Sequence, residues 1–144
     1  MSETKVKKRK VPQPRHRVLR EIYRHYLEFR DLVSSTGESV FEHGEFLYDE
    51  DGEIVGKRHI TISFWDLHNA LHKLSDRKRQ AVFYNVILDQ KQKDVAKTMK
   101  ITTVSVGQYV EQAMIQLAEK YFAEELDEGV ELSVDQAERE RLRR

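Results

Sequence analysis

A mainly α protein is predicted. A helical bundle carrying a helix-turn-helix fills the C-terminal half, preceded by an N-terminal amphipathic helix and a small β-hairpin. Three observations predict it. Apolar residues recur at alternating spacings of three and four within residues 17–33 and again from 106 to 117. Ser63, Ser75 and Thr102 each stand just before a helical pattern, where a hydroxyl can cap early N–H groups. Asp51-Gly52 separates two β-prone runs, a hairpin signal.

Taken in order, residues 1–16 combine Lys5, Lys7, Lys8, Arg9 and Lys10 with Pro12 and Pro14. With almost nothing to bury, they predict a disordered basic tail. Leu19, Ile22, Tyr26, Phe29 and Val33 line one stripe of a helix over about 17–33, ended by Ser34-Ser35-Thr36-Gly37. Phe41, Phe46, Leu47 and Tyr48 lead into the acidic turn. Ile60-Thr61-Ile62-Ser63-Phe64 alternates beyond it, so the hairpin falls within 39–62 and must lean on a helix. These elements form a unit over 17–62.

A second unit spans 63–126. Ser63-Phe64-Trp65-Asp66 fits a capping box that opens a helix with Phe64, Leu67, Leu71 and Leu74 inside. Ser75 opens the next, from Asp76 to about Leu88, burying Val82, Phe83, Val86 and Ile87. A short helix over 91–99 buries Val95, Ala96 and Met99. Lys100-Ile101 turn, and Thr102 caps a long helix whose stripe is Val106, Val110, Ala113, Leu117 and Tyr121, running to about Leu126. Residues 127–144 read as a charged tail, with Ser133-Val134-Asp135-Gln136 as one candidate cap for a further exposed helix.

The 144 residues hold 25 Lys+Arg, 25 Asp+Glu and no Cys. The lack of Cys excludes a disulfide scaffold, a thiol nucleophile and Cys-based metal sites. No run approaches the length of a membrane span, and no apolar segment follows the basic N-terminus as in a secretory signal. A soluble cytoplasmic protein is expected. The zero net charge hides segregation: residues 1–20 carry +7, 21–56 carry −8, 57–120 carry +5 and 121–144 carry −4. Nucleic-acid binding depends on the local field of a patch, so the neutral total does not argue against it.

Residues 91–117 fit a helix-turn-helix physically. Two helices crossing steeply need a small residue at the crossing (Ala96), a turn of about three residues, and buried residues before it (Met99), in it (Ile101) and one turn beyond (Val106). A plain helical hairpin satisfies the same pattern.

The wider frame runs from Leu71-His72-Lys73-Leu74-Ser75-Asp76-Arg77 to Lys93-Asp94-Val95-Ala96-Lys97. Lys100-Ile101-Thr102-Thr103-Val104-Ser105-Val106 and Ala113-Met114-Ile115-Gln116-Leu117 follow. This succession resembles region 4 of bacterial RNA polymerase sigma factors over about 64–122, and also the sigma-like helix-turn-helix proteins of bacteriophages. Nothing before it resembles the promoter-melting region. The resemblance implies a phage-encoded, sequence-specific DNA-binding regulator of transcription with double-stranded promoter DNA as partner. It also implies docking on the β-flap of host RNA polymerase.

Carried over residue by residue, the resemblance places Thr103, Val104, Ser105, Gly107 and Gln108 on the base-reading turns, with Thr102 and Gln112 bordering them. Gln can bond adenine bidentately, Thr and Ser can reach a phosphate or base edge, and Val104 can touch a thymine methyl. The family's Arg and Glu side chains are missing here, so its −35 preference does not transfer. Arg77, Lys91, Gln92, Lys93, Lys97 and Lys100 fall where phosphates are gripped, although each alone reads equally as a solvated side chain. Gly107 costs roughly 1 kcal/mol relative to Ala inside a helix. A close approach to DNA or to another helix would account for it; so would a tolerated defect. Among Phe64, Trp65, Leu67, Val82, Phe83 and Ile87, Trp65 is the candidate protein contact.

His68 and His72 have metal-compatible i, i+4 spacing but lack the intervening Glu and a third ligand, so no metal or cofactor is expected. Asp49-Glu50-Asp51 lacks a calcium loop's register. No phosphate loop, nucleophile elbow or apolar carboxylate pair is present, so a non-enzyme is expected. Two rival readings stand beside the regulator: a protein-protein module that binds polymerase or a sigma factor without reading bases, and an oligomeric packaging protein such as a small terminase subunit. The long last helix and the 19–33 stripe could also build a homodimer.

Overall fold

The computed structural model describes residues 14–48, 51–127 and 130–132. Residues 1–13 of the tail expected over 1–16 and the cap at Ser133–Gln136 lie outside them, and Arg15 and His16 are helical rather than part of a tail. Seven α-helices and three strands follow one another among the described residues: α1 (Arg15–Arg24), α2 (Tyr26–Thr36), β1 (Val40–Tyr48), β2 (Ile54–Ser63), α3 (Phe64–His72), α4 (Asp76–Val82), α5 (Gln92–Met99), α6 (Thr103–Lys120), α7 (Ala123–Asp127) and β3 (Val130–Leu132). None of the helices is long and apolar enough to cross a membrane.

The helix expected over 17–33 is two. Helix α1 begins two residues earlier, after Pro14, and His25 breaks the chain before α2. Val18, Leu19, Ile22 and Tyr23 are buried on α1, but only Tyr26 on α2. The break lets α1 lie against α6 and α7 while α2 turns toward α3. Gly37, at φ 79°, ends α2 by donating its N–H to the Val33 carbonyl.

The hairpin forms as expected, antiparallel from Val40 opposite Ser63 to Leu47 opposite Gly56, with its register shifting between Leu47 and Tyr48. A third strand, not foreseen, joins it: β3 pairs antiparallel with Gly56–Arg58. Buried Arg58 ties this sheet to the helices. Its Nη2 meets Glu45 Oε2 at 2.6 Å and its Nη1 donates to the Leu126 carbonyl at 3.0 Å.

The second half keeps its predicted order with local differences. Ser63 caps α3 by accepting from the Trp65 N–H, without the reciprocal carboxylate bond of a full capping box. Ser75 makes no side-chain cap bond. The helix from Asp76 stops being α at Val82 and widens into a π turn over Phe83–Ile87. The long last helix ends at Lys120 instead of reaching Leu126, and the chain bends before α7. One continuous core joins both halves, from Val18 and Leu19 through Leu67, Val82 and Val106 to Phe122 and Leu126. Tyr23 strengthens the joint: its hydroxyl donates to the Leu67 carbonyl at 2.8 Å, and burial pushes the phenol pKa up, so it stays a donor.

Candidate nucleic-acid interface

Helices α5 and α6 pack against each other across the three-residue turn that the spacing predicts. Val95, Ala96 and Val106 are buried between the helices and the core, and Met99 and Ile101 are half-buried. The turn is a Schellman motif: Ile101 N–H bonds the Ala96 carbonyl at 3.0 Å and Lys100 N–H the Lys97 carbonyl at 3.3 Å. Lys100 holds the left-handed conformation there, at φ 60° and ψ 46°. Glycine takes this conformation freely, whereas a lysine is strained by roughly 1–2 kcal/mol.

At the start of α6, the Thr102 side chain accepts from the Ser105 N–H at 3.1 Å, and its hydroxyl donates to Ser105 Oγ at 2.8 Å. The two hydroxyls therefore serve the cap first, which leaves Thr103, Val104, Gln108 and Gln112 as the outward-facing candidates. All four are exposed, Val104 by 69%. Gln108 and Gln112 make no side-chain hydrogen bond among the described residues, so both amides are available. Gly107 faces inward instead, toward Gln92: an added Cβ would lie 3.5 Å from the Gln92 amide.

Lys91, Lys93, Lys97 and Lys100 are all exposed, and among the described residues none has a carboxylate within ion-pair distance. Lys91 caps α5 without a side-chain acceptor, so the first N–H groups of α5 stay open as well. The structure does not bring Arg77 to this group. Its neighbour Lys78 bonds Gln116 at 3.0 Å. That places the start of α4 beside the far end of α6, about 20 Å along the axis from Thr103 at 1.5 Å per residue. Arg77 is exposed there.

Helix α1 supplies residues that sequence reasoning missed. Its outer face carries Arg17 and Arg24 with half-buried Arg20 at the edge, and the three line a groove against Val110, Glu111 and Met114 of α6. The +7 block contained the signal. Only the packing of α1 on α6, at long sequence separation, places these arginines beside α6.

Trp65 is half exposed, with its ring edge-on to Phe64 and His68. His68 Nδ1 lies 2.7 Å from the Tyr26 hydroxyl, and the His68 and His72 rings meet edge-on. Among the described residues no group of three or more His, Cys, Asp or Glu side chains could hold a metal ion. No protein-family model, curated protein or solved structure matches this chain.

Proposed function

We propose that this chain is a sequence-specific DNA-binding regulator of transcription, a sigma-like factor of phage origin that binds promoter duplex with α6 in the major groove. One observation carries the reading. The first turns of α6 are open to solvent and flanked by four lysines with no acidic partner among the described residues, on two packed helices joined by a Schellman turn beside buried Ala96. Gln108, Gln112 and Val104 are the base-reading candidates. Lys91, Lys93, Lys97, Lys100 and the open N-terminus of α5 are the phosphate contacts. The strained Lys100 supports the same reading, since a charge kept where glycine fits better suggests a role beyond the turn.

Selection of bound duplexes from a random library, followed by anisotropy titration on the winner across salt concentrations, tests it. A shared motif is expected. Lys91→Ala with Lys93→Ala should weaken binding to every sequence and flatten the salt slope by about 0.9 per lost phosphate contact. No enrichment and no retardation at low salt would sink the reading.

A second reading has its own support in two exposed apolar side chains, Trp65 and Val104, and in the absence of arginine from α6. In it the chain binds host RNA polymerase, through Trp65 on the β-flap, and does not read bases. It predicts capture of polymerase that Trp65→Ala abolishes, with no duplex bound by the wild type.

A further inference from the structure

We infer that the groove between α1 and α6 is a phosphate-binding site, and that in the DNA complex it grips the duplex backbone beside α6. The inference deepens the DNA-binding reading and rests on it for the source of the phosphate, but not for the chemistry of the groove.

Arg17, Arg20 and Arg24 recur at spacings of three and four, so they share the face of α1 opposite buried Val18, Leu19, Ile22 and Tyr23. With His16 and Glu21 they wall a groove of about 380 Å³, whose other side is Val110, Glu111 and Met114 of α6. Three guanidiniums face two carboxylates, and the carboxylates are occupied at the margins. Glu21 approaches Arg24 at 3.6 Å, and Glu111 approaches His16 at 3.5 Å. Arg17 and Arg20 have no carboxylate within ion-pair distance among the described residues.

Arg20 adds an independent mark. Its Nη2 donates to Asn85 Oδ1 at 3.3 Å, but its buried Nε–H has no acceptor among the described residues. A charged donor withdrawn from water and left unpaired is uncommon, and a guanidinium fork is the side chain best matched to phosphate oxygens. The site is also tied to the helix pair. Asn85 Nδ2 bonds the Gln90 carbonyl at 2.8 Å, one residue before Lys91, so Arg20 is linked through Asn85 to the start of α5. On α6, Gly107 faces α5 and Val110, Glu111 and Met114 face α1. The arginines of α1 thus continue the flank that Lys91 and Lys93 begin, and a strand backbone running along that flank would meet them next.

The test uses the full chain and the variant Arg17→Gln/Arg24→Gln, two exposed positions whose loss leaves the core intact. Thermal unfolding checks that the variant is folded. Arg20→Gln is measured separately, because Arg20 also positions Asn85. On duplex DNA the double variant is expected to lower the slope of log K against log salt by about 1 to 2, at roughly 0.9 per phosphate contact, in addition to the effect of the Lys91/Lys93 changes. In a second arm, inorganic pyrophosphate is titrated at constant ionic strength without DNA. A rise in Tm for the wild type that the double variant lacks identifies a free anion as an occupant of the groove, even if no duplex binds. An unchanged salt slope together with an equal pyrophosphate response in both proteins overturns the site. Failure of the DNA-binding reading alone shows differently: no duplex binding by the wild type, with the pyrophosphate difference intact.

Discussion

The side-chain amide of Gln92 lies across Gly107, 3.5 Å from where a Cβ on that glycine would stand. This is ordinary van der Waals distance, so a methyl group fits beneath the amide without moving it. The packing of α5 on α6 therefore does not demand glycine. Gly107→Ala should raise stability by about 0.5–1 kcal/mol, the helix-interior difference between the two residues, as a higher urea midpoint at unchanged slope. Duplex affinity read alongside it separates two causes. Affinity that holds marks the glycine as a tolerated weakness, and affinity that drops while stability rises marks a close approach by the bound nucleic acid.

Lys100 should behave in the opposite sense. Lys100→Gly relieves the left-handed strain and is expected to stabilise the fold by about 1 kcal/mol. The same change removes one charge beside α6, so on the proposed DNA-binding reading the salt slope of duplex binding should fall by about 0.9. Lys100→Gln keeps the strain and loses the charge, so it should show the binding loss without the gain in denaturation midpoint.

Acid should weaken the fold through two histidines. Burial holds His68 below its ordinary value of 6.5, with His72 pushing the same way, and burial holds His43 low with help from His25. Between those lowered values and 6.5 the unfolded chain binds more protons than the folded one. Their stabilising contribution is therefore complete above pH 6.5 and is lost as pH falls through the folded values. Urea midpoints at pH 7.5 and 5.5 measure it, and His43→Gln with His68→Gln should flatten the difference. Asp127, held low mainly by its hydrogen bond from Arg15, acts in a separate window below its ordinary 3.8.

The pair Arg58–Glu45, with side chains 3% and 12% exposed, is the most sensitive polar contact in the sheet. Arg58→Ala strands the buried Glu45 carboxylate and should destabilise by about 3 kcal/mol, whereas Glu45→Ala leaves Arg58 its bond to the Leu126 carbonyl and should cost less. The apolar double change Arg58→Met/Glu45→Leu should recover much of the Arg58→Ala loss, because no carboxylate is then buried without its guanidinium. It should not recover all of it, since the Leu126 carbonyl loses its donor. Chemical denaturation of the three variants checks the order, and a double variant as unstable as the singles would contradict it.

The sequence shows most clearly the features that depend on near neighbours. The helix pair around Ala96 and Val106, the Thr102 cap and the hairpin around Asp51-Gly52 are encoded within a few residues of where they form. The elements that escaped are set by distant partners. The break at His25 arises because α1 follows α6 while α2 follows α3, which no stripe of spacings reveals. Strand β3 exists only because β2 offers it a free edge. The candidate interface divides the same way: the lysines of α5 were visible as a run, whereas the arginines of α1 joined them only through tertiary packing. Arg77 stands exposed at the start of α4, where its neighbour Lys78 bonds Gln116 of α6.

The burial of Leu19, Ile22 and Tyr23 against the second half has a practical consequence for dissection. A fragment trimmed to residues 63–126 would expose the side of α6 that α1 covers, and would lose both the donor to the Leu67 carbonyl and the arginine tether of Asn85. Such a fragment should be a poor stand-in for the parent. Substitutions on α1 should be felt at α6, although more than eighty residues of chain separate Arg20 from Gln108.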